Sequence, residues 1–156
     1  MAKKYRFRFD PWALALFALV MLPNILWFSL PARPSDVLRA PSALPAADAT
    51  ASIARILMLA CLCFLENAGA PPVRARALTL ACALCVFAYL ACWALYFRGI
   101  APPPVLWGLC LFPCAAFILF SLGRENFPAL AFALVFTVCH ALCTHAALAA
   151  HGPGGL

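Results

Sequence analysis

The feature that most constrains this chain is a series of long apolar runs, most of them long enough to cross a lipid bilayer. Charged residues or prolines separate the runs, which cover 11–30, 51–67, 77–97, 104–122 and 127–149. A transmembrane helix needs about 20 mainly apolar residues, so each run is a candidate span. The sequence therefore predicts an all-α fold, a polytopic integral membrane bundle of five transmembrane helices.

The composition of the chain is that of a membrane protein rather than of a soluble domain. Of its 156 residues, 67% are hydrophobic and 10% are charged, whereas a soluble domain has roughly 45–50% and 25%. Five spans use nearly the whole length, so we treat 1–156 as a single transmembrane domain with no soluble catalytic part. The apolar runs do not alternate with polar residues, which excludes the strands of a β-barrel.

The run at 51–67 is the weakest candidate span. Its strictly apolar part is short for a bilayer. Arg55 and Glu66 must lie within its ends, where long side chains can reach toward the interfaces. A bundle of four spans is therefore the alternative.

Basic residues at the start of the chain predict its orientation. Lys3, Lys4, Arg6 and Arg8 precede the first run, and the positive-inside rule puts such a cluster in the cytoplasm. Five crossings then put the C-terminus outside, with the plasma (inner) membrane as the expected location. This start also resembles a secretory signal peptide, but its apolar run is longer than the usual stretch of about 7–15 residues, which favours an uncleaved anchor.

The net charge of the chain is +6, which fits this topology and an affinity for anionic lipid head groups. Basic residues do not interleave with exposed aromatic residues as they do on nucleic-acid-binding surfaces. We therefore expect membrane lipids as partners and no nucleic acid. Five spans are few for a transporter, so a homo-oligomer or a partner membrane protein is also expected.

The long connection at 31–50 is rich in proline and lies outside the cell in this topology. Proline fixes the backbone angle φ, so the connection should be a semi-rigid extracytoplasmic loop. Asp36 and Arg39 are spaced i, i+3, which favours one short turn with an ion pair. The loop is either a spacer between two spans or a lid over an outer pocket.

Polar residues and prolines within the runs converge on one depth. Counted along the helices, Pro23, Asn24, Arg55, Pro113 and His140 all lie roughly 8–13 Å below the outer ends. Intramembrane polar groups usually face the bundle interior. The two prolines would break their helices and free backbone carbonyls there. We therefore predict an outward-facing polar pocket at this depth.

On the last run, Thr137, His140 and Thr144 are spaced i, i+3 and i+7 and share one helix face. The predicted ligand-binding set is therefore Asn24, Arg55, Thr137, His140 and Thr144. In this set Arg55 would pair with a phosphate or carboxylate. The alternative is that the smaller polar groups only bond backbone carbonyls or neighbouring helices.

All nine cysteines lie within the apolar runs, where cysteine usually acts as a small packing residue. Cys82, Cys85, Tyr89, Cys92 and Tyr96 have the 3, 4 spacing of a helix packing face. Two i, i+4 pairs border the polar layer and are weak redox candidates: Cys110 and Cys114, and Cys139 and Cys143. Since no residue set has the spacing of a metal or cofactor site, we predict no metal, no cofactor and no identified catalytic residue.

Together these features predict a small multipass membrane protein that binds or translocates a small amphipathic or lipid-like ligand. The sequence contains no hydrolase or nucleotide-binding motif, so an enzyme is not the first expectation. One alternative is an accessory or structural subunit of a larger membrane complex. Another is a membrane thiol or quinone oxidoreductase that uses the cysteine pairs.

Overall fold

The computed structural model describes residues 5–31, 36–39, 41–69 and 72–151. Its five helices are all long and apolar enough to cross a membrane, which confirms the all-α fold and the five candidate spans. Two three-residue strands and a 3₁₀ turn at Val37–Arg39 complete the described elements. The helices and strands are β1 (Tyr5–Phe7), α1 (Pro11–Ser29), α2 (Pro45–Phe64), β2 (Leu65–Asn67), α3 (Pro72–Phe97), α4 (Pro103–Gly123) and α5 (Phe127–His151).

Local sequence signals explain where several helices begin. Proline is the first residue of α1, α2 and α4, a position where its missing N–H costs no helical hydrogen bond. The Asp10 carboxylate caps α1 by accepting a 2.9 Å hydrogen bond from the Trp12 amide. The Asn126 side chain caps α5 in the same way, accepting a 3.1 Å bond from the Ala129 amide.

The second helix differs most from its predicted position. α2 begins at Pro45 rather than at 51 and ends at Phe64. Its first turns carry Asp48 and Thr50, which an apolar-run criterion rejects but a helix tolerates, because acidic residues are favourable near a helix N-terminus. Arg55 consequently lies near the middle of α2, and Glu66 lies beyond its end, in β2.

The helices pack in two pairs that α4 and α5 join. α3 packs along α4, and α2 packs along α5, while α1 lies at the edge against α2 and α3. Sequence-adjacent helices are therefore neighbours at α3/α4 and α4/α5, but α2 has its largest contact with a helix distant in sequence. At the α3/α4 contact the helices approach closely at Gly108, where an added Cβ would lie 2.5 Å from the Cys92 sulfur.

The peripheral helix α1 buries only a narrow stripe, formed by Ala13, Leu16, Val20 and Pro23. The rest of its surface is large and apolar, as expected for a helix that faces lipid on most sides. The exposed side chains include Leu14, Leu19, Leu22, Ile25, Leu26 and Phe28.

One end of the bundle gathers three segments that are far apart in sequence. We call it the N-side and define it as residues 5–10, 65–69 and 123–126. There β1 and β2 form an antiparallel ribbon in which Arg6 is opposite Glu66. The Tyr5 hydroxyl donates to the Glu125 carbonyl at 3.4 Å. Sequence periodicity did not predict this ribbon, because three-residue strands are too short to show alternation.

The opposite end, the far side, carries the connection between α1 and α2. The buried carboxylate of Asp36 accepts hydrogen bonds from the Trp27 indole at 2.9 Å and from the Tyr96 hydroxyl. Arg39 approaches Asp36 at 3.4 Å and donates to the Trp27 and Leu30 carbonyls at 2.7 and 2.6 Å. The described part of the loop thus contains the predicted Asp36–Arg39 pair and is hydrogen-bonded to α1 and α3.

Candidate functional site

In the structure the residues of the predicted polar layer lie at two different depths below the far-side ends of their helices. Arg55 and Pro113 are each ten residues from the far-side start of their helices, and His140 is eleven residues from the end of α5. At the rise of an α-helix these three lie about 15 Å deep, whereas Pro23 and Asn24 lie about 8 Å deep. Arg55 is deeper than predicted because α2 begins earlier than predicted, and this accounts for most of the difference between the predicted single depth and the two observed depths.

Asn24 is engaged in helix packing between α1 and α3. Its amide donates to the Tyr89 hydroxyl at 2.6 Å and to the Val20 carbonyl at 2.9 Å. The Tyr89 hydroxyl in turn donates to the same Val20 carbonyl at 3.0 Å. Pro23 is buried next to this group. Tyr89 was predicted only as part of a packing face; in the structure Cys82, Tyr89 and Tyr96 of that face are buried, whereas Cys85 and Cys92 are partly buried.

Six of the other predicted side chains lie where α2, α4 and α5 come together. We call this group the mid-bundle cluster; it consists of Arg55, Cys110, Cys114, Thr137, His140 and Thr144. Ala51 and Ala54 of α2 pack with Cys114 and Phe136 in the same region. Thr144 lies near Cys110, and Thr137 lies near Cys114. Residues of α2 therefore lie in one region with residues of α4 and α5, two helices that are distant from α2 in sequence.

Within the mid-bundle cluster, two side chains have polar groups that the bundle does not use. Arg55 is partly buried and forms no hydrogen bond or ion pair with any residue that the structure describes. The ring of His140 stacks on that of Phe136, with the ring centroids 5.2 Å apart. The nitrogens of the His140 ring likewise have no hydrogen-bond partner in the described ranges. Arg55 and Asp48 both act electrostatically on His140. Arg55 and His140 therefore carry hydrogen-bonding groups that the described residues leave unused.

The two threonines of the cluster are bonded to their own helix. The Thr137 hydroxyl donates to the Ala133 carbonyl at 2.7 Å, and the Thr144 hydroxyl donates to the His140 carbonyl at 3.0 Å. Such bonds satisfy a hydroxyl donor without a second helix or a ligand. Each oxygen can still accept a hydrogen bond, so a secondary role in ligand binding stays a prediction.

The cysteine pairs lie in different surroundings, and all nine cysteines are free thiols. Cys110 and Cys114 are buried next to each other on α4. Cys139 and Cys143 are partly buried, and the Cys143 sulfur lies 4.0 Å from the Ser42 hydroxyl of the far-side loop. Within the part of the chain that the structure describes, no group of three or more His, Cys, Asp or Glu side chains is arranged to hold a metal ion.

A cavity of about 650 Å³ lies on the N-side and was not predicted. It opens where the starts of β1 and α1, the end of α2 and the α4–α5 turn meet. Charged side chains of both signs and one indole line it, namely Arg6, Arg8, Asp10, Trp12, Glu66 and Arg124. The one sequence signal was the basic cluster before the first span, which we used only for orientation.

On the far side, a recess of about 20 Å³ lies between Trp27, Asp36, Arg39 and Tyr96. This is room for about one water molecule. The predicted outward-facing pocket is thus not this recess. That pocket remains a prediction attached to the mid-bundle cluster.

The charge pairs of the N-side make the ribbon sensitive to pH. The hydrogen bond from Arg6 Nε to Glu66, 2.7 Å long, and then the charges of Arg6 and Arg8, lower the pKa of Glu66 below its ordinary value of 4.5. A lowered pKa means that the folded protein binds this proton less readily than the unfolded chain. Ionised Glu66 therefore stabilises the ribbon above about pH 4.5, and this stabilisation is lost as the pH falls through the lowered pKa.

We accordingly expect the ribbon to loosen in acid. Hydrogen–deuterium exchange of the amides of Arg8 and Asp10, which donate to the carbonyls of Phe64 and Cys63 at 3.1 and 2.8 Å, should accelerate below pH 4.5 after correction for intrinsic exchange. Glu66→Gln should abolish that pH dependence. Equal acid sensitivity in wild type and Glu66→Gln would assign the effect to another group.

Comparisons with protein-family models, with curated proteins and with solved structures find no match to this chain.

Proposed function

We propose that this multipass membrane protein binds a small amphipathic, lipid-like ligand within its bundle and holds or translocates it. Arg55 supplies the observation that carries the proposal. A charged side chain near the middle of a membrane helix costs about 2.5–3.5 kcal/mol or more. Such residues are normally paired, yet Arg55 has no ion-pair partner among the described residues. The anionic group of a ligand would supply that partner.

The surroundings of Arg55 favour a ligand that is polar at one end only. A guanidinium group binds a carboxylate or phosphate through two parallel hydrogen bonds, and His140 could add a third. The neighbouring side chains Ala51, Ala54 and Phe136 are apolar and buried, so the surroundings of the guanidinium group are otherwise apolar. This combination supports an acidic head group attached to an apolar tail.

The experiment is native mass spectrometry of the full chain, gently extracted from its own membrane. We expect a bound small molecule in the wild type, a loss of at least about tenfold in Arg55→Ala, and partial retention in Arg55→Lys, which keeps the charge but not the planar fork. Arg98→Ala, at the exposed end of α3, is the matched control and should behave like the wild type. A bound molecule that persists unchanged in Arg55→Ala would contradict the proposal.

We further propose that the N-side faces the cytoplasm of the plasma membrane. The support is the concentration of basic residues at this end: Arg6, Arg8 and Arg124 belong to it, and Lys3 and Lys4 precede it in the sequence. Positive charge is retained on the cytoplasmic side during insertion. An alkaline phosphatase fusion after Leu156 should be active, and one inserted at 123–126 inactive. The reverse pattern would invert the topology.

The two alternative functions give different outcomes in the same extraction. An accessory subunit would be recovered with unrelated membrane proteins, and Arg55→Ala would leave that association intact. A thiol oxidoreductase would need a cysteine pair within reach of its substrate. The burial of Cys110 and Cys114 favours a packing role for that pair, which leaves Cys139 and Cys143 as the pair to test with a membrane-permeant alkylating reagent.

A further inference from the structure

We propose that the N-side cavity is a second binding site, which holds the phosphate-containing head group of an anionic membrane phospholipid through Arg8 and Arg124. The site lies at the opposite end of the bundle from the far-side loop and does not depend on the ligand proposed for Arg55. Its chemical basis is the guanidinium N–H groups of Arg8 and Arg124 that make no hydrogen bond to the described residues.

The shape and position of the cavity suit a head group. Its volume of about 650 Å³ lies within the range of about 300–1,000 Å³ that is usual for small-molecule sites. Its lining combines charged side chains with the apolar side chains of Pro11, Trp12 and Leu62. A molecule with a polar phosphate and an apolar glycerol ester region would find a partner for each part in this lining.

The charges of the lining leave a net positive site. Among the described lining residues, Arg6, Arg8 and Arg124 stand with the carboxylates of Asp10 and Glu66, which gives these five side chains a net charge of +1. Glu66 is shared by two arginines: Arg6 Nε approaches it at 2.7 Å, and Arg8 only at 3.3 Å. Positive charge is therefore not fully compensated within the cavity.

Arg8 and Arg124 also retain hydrogen-bond donors. Each guanidinium carries five N–H groups. Arg8 uses one nitrogen, toward Glu66, and its side chain is 63% exposed. Arg124 likewise uses one nitrogen, 3.0 Å from Asp10. Toward the described residues the other nitrogens make no hydrogen bond, so they are available to phosphate oxygens, which guanidinium groups bind through paired hydrogen bonds.

The aromatic rim favours a lipid over a free phosphate ion, although both present the same phosphate chemistry. Trp12 is 70% exposed and Phe7 80% exposed, and Phe9 is half-exposed beside them. Phe7 stacks on Phe64 with ring centroids 5.4 Å apart. Among these residues Trp12 is the one that marks the membrane–water interface, where the amphipathic rings of tryptophan and tyrosine are enriched. The cavity therefore opens at the depth where lipid phosphates are concentrated.

The test compares lipids and variants by native mass spectrometry of the delipidated full chain. Phosphatidylglycerol should bind more tightly than phosphatidylcholine. Arg8→Gln and Arg124→Gln should each weaken phosphatidylglycerol binding about fivefold, the effect expected for one basic residue near an anionic lipid. Arg98→Gln removes the same charge from the far side and should leave binding unchanged.

A variant that is expected to bind phosphatidylglycerol more tightly serves as a control for misfolding. Asp10→Asn removes the carboxylate that pairs with Arg124 but keeps a good cap for α1, since asparagine and aspartate are similar N-caps. We expect it to bind phosphatidylglycerol several-fold more tightly than the wild type does. A destabilised protein would not gain affinity, so this increase would support the site directly.

Three results would overturn the proposal: equal binding of the two lipids, equal losses in Arg98→Gln and Arg8→Gln, or no gain in Asp10→Asn. Displacement of phosphatidylglycerol by an equal concentration of inorganic phosphate would assign the cavity to a soluble anion and would also overturn the lipid proposal. A ligand that is lost in Arg55→Ala but kept in Arg8→Gln belongs to the mid-bundle cluster, so the two proposals can fail separately.

Discussion

Asp36→Ala is expected to lower the free energy of unfolding by about 3 kcal/mol, because it removes the acceptor for donors on three parts of the chain. The Asp36 side chain is only 4% exposed. It accepts hydrogen bonds from the Trp27 indole and the Tyr96 hydroxyl and pairs with Arg39. Without it, the indole N–H loses its described partner, and the far-side loop loses the hydrogen bonds that join Asp36 to α1 and α3.

The measurement is a detergent unfolding titration of the purified chain, followed by tryptophan fluorescence because Trp27 lies at the site. Asp36→Asn, which keeps an acceptor but loses the charge, should lie between wild type and Asp36→Ala. Asp48→Ala is the control: it removes the same charge near the start of α2, where the side chain is exposed, and should cost less than about 1 kcal/mol. Equal losses in Asp36→Ala and Asp48→Ala would show that the buried contacts contribute nothing specific.

Asn126→Ala is expected to cost a similar amount, about 3 kcal/mol, because one side chain that is 2% exposed makes three hydrogen bonds. Its amide donates to the carbonyls of Cys61 and Leu65 at 2.9 and 2.8 Å, and its carbonyl accepts from the Ala129 amide. The first two bonds satisfy carbonyls at the end of α2, and the third caps α5. Losing a cap alone costs about 1 kcal/mol.

A second substitution separates these contributions in the same unfolding titration. Asn126→Asp keeps the cap acceptor for α5 but replaces the amide donors by an oxygen that faces two carbonyls. We expect this variant to be at least as unstable as Asn126→Ala at neutral pH. Ser121→Ala removes a buried hydroxyl that bonds only its own helix at 2.7 Å and should cost about 1 kcal/mol or less. Wild-type stability in Asn126→Asp would mean that only the cap matters.

The bounds of the helices could be predicted from the sequence where the apolar run and the helix coincide. The runs at 11–30, 104–122 and 127–149 lie within two residues of α1, α4 and α5 at both ends. The run at 51–67 differs from α2 at both ends, because α2 begins at Pro45, ahead of Asp48 and Thr50, and stops before Glu66. Hydropathy measures where lipid can be, whereas a helix begins and ends where backbone hydrogen bonding allows.

The grouping of the polar residues depended on contacts between helices that are distant in sequence. Depth can be counted along one helix, and this placed Asn24 and Arg55 in one layer. The direction in which each side chain points depends on which helices are neighbours, and that was unknown. Asn24 faces Tyr89 of α3, while Arg55 lies with His140 because α2 packs along α5.

The sequence by itself determined that the chain belongs in a lipid bilayer and that its fold is helical. Five long apolar runs are unfavourable in water, and in lipid each run must form its backbone hydrogen bonds within a helix. It also identified Arg55 and His140 as side chains whose placement within a membrane costs free energy. Only the tertiary structure decided that α2 pairs with α5, that the N-terminal segment forms a ribbon with 65–67, and that Arg6, Arg8 and Arg124 line one cavity. These are contacts across 58 or more residues of chain, and no local periodicity encodes which distant segments meet.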